Sequence, residues 1–216
     1  MRGGLVVRLA SLLFGLSLFA AAIVAVLESR LGLAPWDVFH QGIATRTPLT
    51  FGQVGIVVGL VILCGAWALG QPPGWGTLAN AVLVGLFIDA FASLGWVDGL
   101  SLASLPARSG LLFAGVALFG VGSAFYIGAG LGAGPRDSMM LVLASRSGLR
   151  IGLVRTAIEA TVLVFGFLLG GTAGIGTAVV AVLVGPTVEA SFWLVCRIGL
   201  AVPGLVVPTG TPEAGM

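Results

Sequence analysis

The chain has 216 residues, 58% of them hydrophobic and 8% charged, and its mean hydropathy is +1.14. A water-soluble domain carries about a quarter charged residues, so this chain cannot cover its own surface with polar groups in water. The net charge of +2 comes from ten scattered arginines with no lysine, which excludes a nucleic-acid-binding face and a polybasic lipid-binding arm.

In chain order, the first apolar run is Leu9 to Leu27, without a single charge. Arg2 and Arg8 ahead of it give it the look of a signal peptide, but a matching segment recurs later, so it reads as a retained span. "LGLAPWDVFHQG" follows, a Gly/Pro break and then a short helix with Pro35 at its first position and Asp37 in its first turn. Phe51 to Leu69 is a second uncharged run, and Gly76 to Trp96 a third that carries only Asp89. Beyond a linker come uncharged Gly110 to Gly134, a second short helix at "GAGPRDSMM", Ile151 to Leu169 with Arg155 and Glu159, and Ile175 to Val195 with Glu189. Apolar runs of about 18 or more residues read as membrane spans, and six are present. Thirty-five glycines suit close helix approach in a bilayer. Cys64 and Cys196 have no C-x-x-C spacing and read as inert core thiols.

Shifting the sequence by 100 residues aligns it with itself without gaps. "LGLAPWD" meets "LGAGPRD", "GWGTLANAVLVG" meets "GIGTAVVAVLVG", and Asp89 meets Glu189. From Leu31 to Leu94, 22 of 64 positions are identical, a self-similarity that marks duplication. The expected fold is an all-α polytopic membrane protein of two tandem homologous halves, with six long transmembrane helices and two short broken ones, re-entrant or interfacial. It forms one membrane domain over 1–216, with repeat one at 8–97, a linker at 97–109, repeat two at 110–201 and a flexible tail at 202–216. If the short helices do not cross, the halves are inverted; if they do, the halves are parallel. At 1.5 Å per residue, Pro135 to Ser147 spans about 20 Å against an apolar core of about 30 Å, which favours six crossings. With the N-terminus cytoplasmic, seven arginines then lie inside and three outside.

The motifs "GLAPWDVFHQG", "FGQVGIVVGL", "GTLANAVLVGLFIDAF", "GAGPRDSMM", Arg155-x-x-x-Glu159 and "GGTAGIGT" follow one another in an order that resembles the YczE-type branch of the YitT-like bacterial integral membrane proteins. The likeness covers nearly all of the chain. It implies a multi-span protein of the bacterial cytoplasmic membrane, and it implies no substrate or reaction.

Ionisable groups inside spans cost a few kcal/mol and are functional candidates by default. Asp89 and Glu189 hold one repeat position: either they bind cations or protons, or they reach an interface or a neighbouring helix. Arg155 and Glu159, four apart, share a helix face and can pair. Their repeat counterparts, Gly55 and Gly59, leave space instead. The pair either fixes the packing of the halves or binds a charged substrate. Asp37 and Asp137 either start helices or line a binding site, since short helices at matching positions of two halves mark such sites in transporters. His40 has no counterpart, Met140 standing in its place, and reads as a structural histidine; one histidine cannot make a metal site. The expected activity is a small secondary transporter or exporter with its site between the halves, using Asp37, Asp137, Asp89, Glu189, Arg155 and Glu159. The other reading is a membrane accessory protein that acts on a partner and moves nothing. No HExxH, GxSxG or P-loop is present, so no enzyme, metal or cofactor is expected. The expected partners are the lipid bilayer and a small molecule or ion, with no nucleic acid.

Overall fold

The computed structural model describes residues 4–132 and 134–198; the tail at 202–216, expected to be flexible, lies outside the described residues. Among the described residues every regular element is a helix: α1 (Leu5–Ser29), α2 (Pro35–Ala44), α3 (Phe51–Ala68), α4 (Trp75–Ser93), α5 (Asp98–Ser101), α6 (Leu105–Gly128), α7 (Pro135–Ser147), α8 (Ile151–Leu168) and α9 (Ile175–Arg197). Six of them, α1, α3, α4, α6, α8 and α9, are long and apolar enough to cross a membrane. With 10 and 13 residues, α2 and α7 are too short to cross a hydrocarbon core of about 30 Å as straight helices. Large apolar side chains face outward, Trp75, Leu94 and Ile175 each being more than 70% exposed. Such a surface suits lipid.

Two sequence expectations shift. The segment expected as a linker at 97–109 is largely helical, because α6 already begins at Leu105. Pro106 stands in its first turn, where a missing N–H leaves no helical bond unmade. The fourth span accordingly ends at Gly128 rather than Gly134. Cys64 and Cys196, expected in the core, are exposed.

The centre of the molecule is the pair α1 and α6, which run antiparallel. Gly15 and Gly122 face each other, and a Cβ on either would lie 2.8 Å from the carbonyl oxygen of the other. Only small residues permit that approach. Near the start of α1, Arg8 donates to the carbonyls of Ala129 and Gly130 at 2.8 and 2.6 Å, past the end of α6. Near the start of α6, Arg108 donates to the carbonyls of Ser29 and Arg30, both at 2.8 Å, past the end of α1. Each guanidinium thus neutralises the negative end of the neighbouring helix and satisfies carbonyls that have no helical partner.

The same exchange handles the chain breaks. After α1, Arg30 takes φ 51° and Gly32 φ 123°; after α6, Gly130 takes φ 64° and Gly132 φ 133°. The carbonyl of Leu31, freed by the first break, accepts the N–H of Gly176 at 2.7 Å, and that of Leu131 accepts the N–H of Gly76 at 2.8 Å. Those N–H groups lie in the first turns of α9 and α4 and have no partner within their own helices. Each bond recurs with its two ends shifted by 100 residues in opposite directions. Gly32 and Gly132 are needed for backbone angle and for space, because a Cβ would lie 2.7 Å from Thr177 Oγ1 in the first case and 2.6 Å from Thr77 Oγ1 in the second.

We expect Gly32→Ala and Gly132→Ala each to destabilise the protein by roughly 1–3 kcal/mol, since both add strain at positive φ and a steric clash. Gly152→Ala and Gly185→Ala, where a Cβ meets nothing within 4 Å, should be neutral. Thermal unfolding in detergent checks this; equal melting temperatures for all four would contradict the packing described.

Candidate functional site

Two anchors aim the short helices at each other. The C-terminal end of α2 is tied to the end of α8, with Arg46 Nε donating to Leu169 O at 3.0 Å and Gln41 Oε1 accepting the Thr172 N–H at 2.6 Å. The C-terminal end of α7 is tied to the end of α3 by Arg146 Nη2, which donates to Leu69 O at 2.9 Å. Their N-termini therefore meet in the interior. Arg136 Nη2 stands 3.8 Å from Asp37 Oδ1, and its guanidinium lies 4.9 Å from the ring centre of Trp36.

Around this junction lies a cavity of about 250 Å³. Phe19, Ile23 and Phe119 of α1 and α6 form an apolar wall, and Val84 and Val184 of α4 and α9 close two more sides. The polar lining comes from the tips of α2 and α7, from Asn80, Ser123 and Tyr126, and from Arg155 and Glu159. Positive helix ends, guanidinium groups and carboxylates share one small space, an arrangement able to hold a charged small molecule away from water.

Four of the six residues singled out in the sequence line this cavity. Asp37 is 3% exposed, and no side chain caps α2 at its start, so helix capping does not account for it. Its Oδ1 has no hydrogen-bond partner. Asp137 interacts with the Gly134 backbone and the Tyr126 hydroxyl. Arg155 Nε donates to Glu159 Oε1 at 2.9 Å, and the pair shares the cavity with Gly55 and Gly59.

Asp89 and Glu189 are not in the cavity lining. Asp89 instead accepts the Thr50 hydroxyl at 2.5 Å and the Gly52 N–H at 2.9 Å, which fastens the end of α4 to the start of α3. Glu189 is exposed and makes no hydrogen bond or ion pair.

Three lining residues escaped the sequence reading: Arg136, Trp36 and Tyr126. Arg136 and Trp36 occupy one repeat position between the Pro and the Asp, and that mismatch inside the best-preserved motif was the available signal. His40, read as structural, also lines the cavity, with Nδ1 3.8 Å from Asp37 Oδ1 and Nε2 without a partner. No group of three His, Cys, Asp or Glu able to hold a metal forms among the described residues.

Residues 6–191 match the family described as "Family of unknown function (DUF6198)". The chain belongs to that family. It is 36% identical over 193 residues to "Uncharacterized membrane protein YczE" of Bacillus subtilis (strain 168), covering 86% of this chain and 85% of that protein. It is 33% identical over 189 residues to an "Uncharacterized protein" of Haemophilus influenzae, covering 87% and 84%, and 27% identical over 172 residues to "Uncharacterized protein YyaS" of Bacillus subtilis, covering 79% and 85%. No solved structure matches. A YczE-type relative named as a membrane protein and six apolar helices make this a multi-pass membrane protein in a lipid bilayer.

The Arg155–Glu159 pair yields a stability prediction. With side chains 55% and 30% exposed, the pair is more open than a sealed ion pair, so Glu159→Gln should cost about 1 kcal/mol or less. The double variant Arg155→Met with Glu159→Gln should recover that loss. Equal melting temperatures for the single and double variants in detergent would show that the pairing carries no stability.

Proposed function

We propose that this protein is a small secondary transporter, built from two inverted homologous halves, that carries its substrate through the cavity between α2 and α7 by alternating access. In this reading the short helices are re-entrant and six helices cross. The reading involves no chemical step; the chain acts as a carrier, not an enzyme.

One observation carries it: corresponding helix pairs are closed in the first half and open in the second. At the start of α3, Gly52 packs on Gly85 of α4 so closely that a Cβ on either would collide with the carbonyl of the other. Asp89 seals the same contact through Gly52 and Thr50. The corresponding residues of α8 and α9, Gly152 and Gly185, meet nothing within 4 Å. Glu189 is unbonded, and α8 packs mainly on α2. The closed contact lies toward the end of the molecule where α1 finishes, and the open one toward the end where α1 begins.

The chemistry needed to close the second gap is already present. Glu189 sits at the Asp89 position, Gly152 offers the N–H that corresponds to that of Gly52, and Arg150 replaces Thr50 with a cation. Closing α8 on α9 while α3 parts from α4 would turn the cavity to the other side with the same residue types in exchanged roles. Inverted repeats make two such states close in energy, because each is nearly the other with the two halves exchanged by a two-fold rotation.

Orientation follows from charge. Arg8, Arg146, Arg150, Arg155 and Arg197 lie toward the open end, and Arg30, Arg46 and Arg108 toward the closed end. By the excess of positive residues on the cytoplasmic side, the N-terminus and the open gap face the cytoplasm of a bacterial cell membrane.

The test needs no known substrate. In a background with Cys64→Ser and Cys196→Ser, Val84→Cys reports the cavity to a membrane-impermeant maleimide applied from either face of oriented vesicles. Without further change it should label from the face bearing the α1 N-terminus. Adding Glu159→Cys and Ala181→Cys, whose counterparts Gly59 and Ala81 in the closed half bring their Cβ positions to 3.6 Å, and oxidising should join α8 to α9, after which residue 84 should label only from the opposite face. Labelling from one and the same face in both states, as an accessory protein with a static cavity would give, would overturn the proposal.

A further inference from the structure

We infer that the cavity is built for a small zwitterion of the α-amino-acid type, with a carboxylate and an ammonium one carbon apart and an apolar side chain. This deepens the transporter reading and rests on it only for the statement that the bound molecule is carried. The inference begins with polar groups that the protein leaves unsatisfied. Asp37 is 97% buried by exposure of 3%, lines the cavity at the tip of α2, and holds Oδ1 with no hydrogen-bond partner. An interior carboxylate oxygen without a donor is costly, and a charged N–H donor from a ligand would relieve that cost.

Beside it stands the complementary deficit. Arg136 donates no hydrogen bond to any described residue; its contacts are the Trp36 ring and the long approach to Asp37. Its planar fork of N–H groups suits a carboxylate held in two places. The N-terminal, positive ends of α2 and α7 meet there and favour the same negative group. The acceptor and the donor face each other as a long ion pair at 3.8 Å, each with hydrogen bonds still to make. A ligand bearing one charge would answer one of them; adjacent opposite charges answer both.

The rest of the lining agrees. Asp137 is engaged by Tyr126 and Gly134, and Glu159 by Arg155, so neither is left to demand a second cation. Phe19, Ile23 and Phe119 offer an apolar wall next to the charged junction. The cavity of about 250 Å³ has room for roughly eight water volumes, enough for an amino acid with an aliphatic or single-ring side chain.

Binding at equilibrium tests this on the wild-type protein in lipid nanodiscs, by isothermal titration. The probes are L-leucine, L-phenylalanine, 3-methylbutylamine (leucine without its carboxylate) and 4-methylpentanoate (leucine without its amine). At least one amino acid should bind saturably, and both single-charge probes at least tenfold more weakly than leucine or not at all. Asp37→Asn and Arg136→Gln should each weaken amino-acid binding at least tenfold, with folding checked by melting temperature. Should either variant fail to fold, the comparison among the four probes on the wild type still decides. Binding of 3-methylbutylamine or 4-methylpentanoate as tightly as leucine, or no amino-acid binding at millimolar concentration, would overturn the inference. Because no flux is measured, zwitterion binding with one-sided maleimide labelling would sink the transporter reading alone. Two-sided labelling without amino-acid binding would sink only this inference.

Discussion

The structure depends on one requirement: inside a bilayer, every backbone N–H and C=O must find its partner within the protein. The chain breaks that follow α1 and α6 free the carbonyls of Leu31 and Leu131 from any helical partner. Each break is repaired by the first turn of a helix from the other end of the chain, Gly176 for Leu31 and Gly76 for Leu131. Neither break could stand without the distant helix. This reciprocity holds the molecule together as one unit, and it fixes where α2 and α7 begin.

From that placement the polar centre follows. The breaks set the N-termini of two short helices in the interior, while Arg46 and Arg146 hold their other ends to opposite ends of the molecule. Positive helix ends pointing at one another repel unless acids accompany them, and Asp37 and Asp137 stand in those first turns. Arg136 then returns a positive charge to the junction. The result is a small space of mixed charge inside a shell of Leu, Val, Ala and Gly, a costly arrangement in a membrane interior.

Residues that align when the sequence is shifted by 100 positions do different work in the structure. Gly55 and Gly59 leave room where Arg155 and Glu159 pair, and Asp89 clasps α3 to α4 while Glu189 stands free. In the proposed transporter, near-symmetry in sequence combined with asymmetry in packing would let one chain adopt two neighbouring arrangements, the Gly–Gly contact sealed by Asp89 trading against closure of the gap flanked by Glu189 and Arg150.

Much of the fold was legible in the residues. The lengths of the apolar runs gave six spans, because a bilayer demands about 20 apolar residues per helix. The Gly/Pro breaks and Pro-x-Asp elements gave α2 and α7, because Pro at the first helical position with Asp in the first turn favours a helix start. The pairing of Arg155 with Glu159 followed from helical spacing alone. What the residues did not disclose was proximity between distant segments. Asp89 and Glu189 looked like a central pair because they share a register, yet packing set Asp89 against the start of α3 and left Glu189 outside the cavity. Trp36, Tyr126, His40 and Arg136 looked unrelated until the tips of α2 and α7 met. Local sequence determines which segments are helical, where each begins and which faces are apolar, since those depend on near neighbours along the chain. Which carbonyl answers which distant N–H, and which charges share one space, is decided only when the helices pack, because those partners lie from 55 to 145 residues apart along the chain.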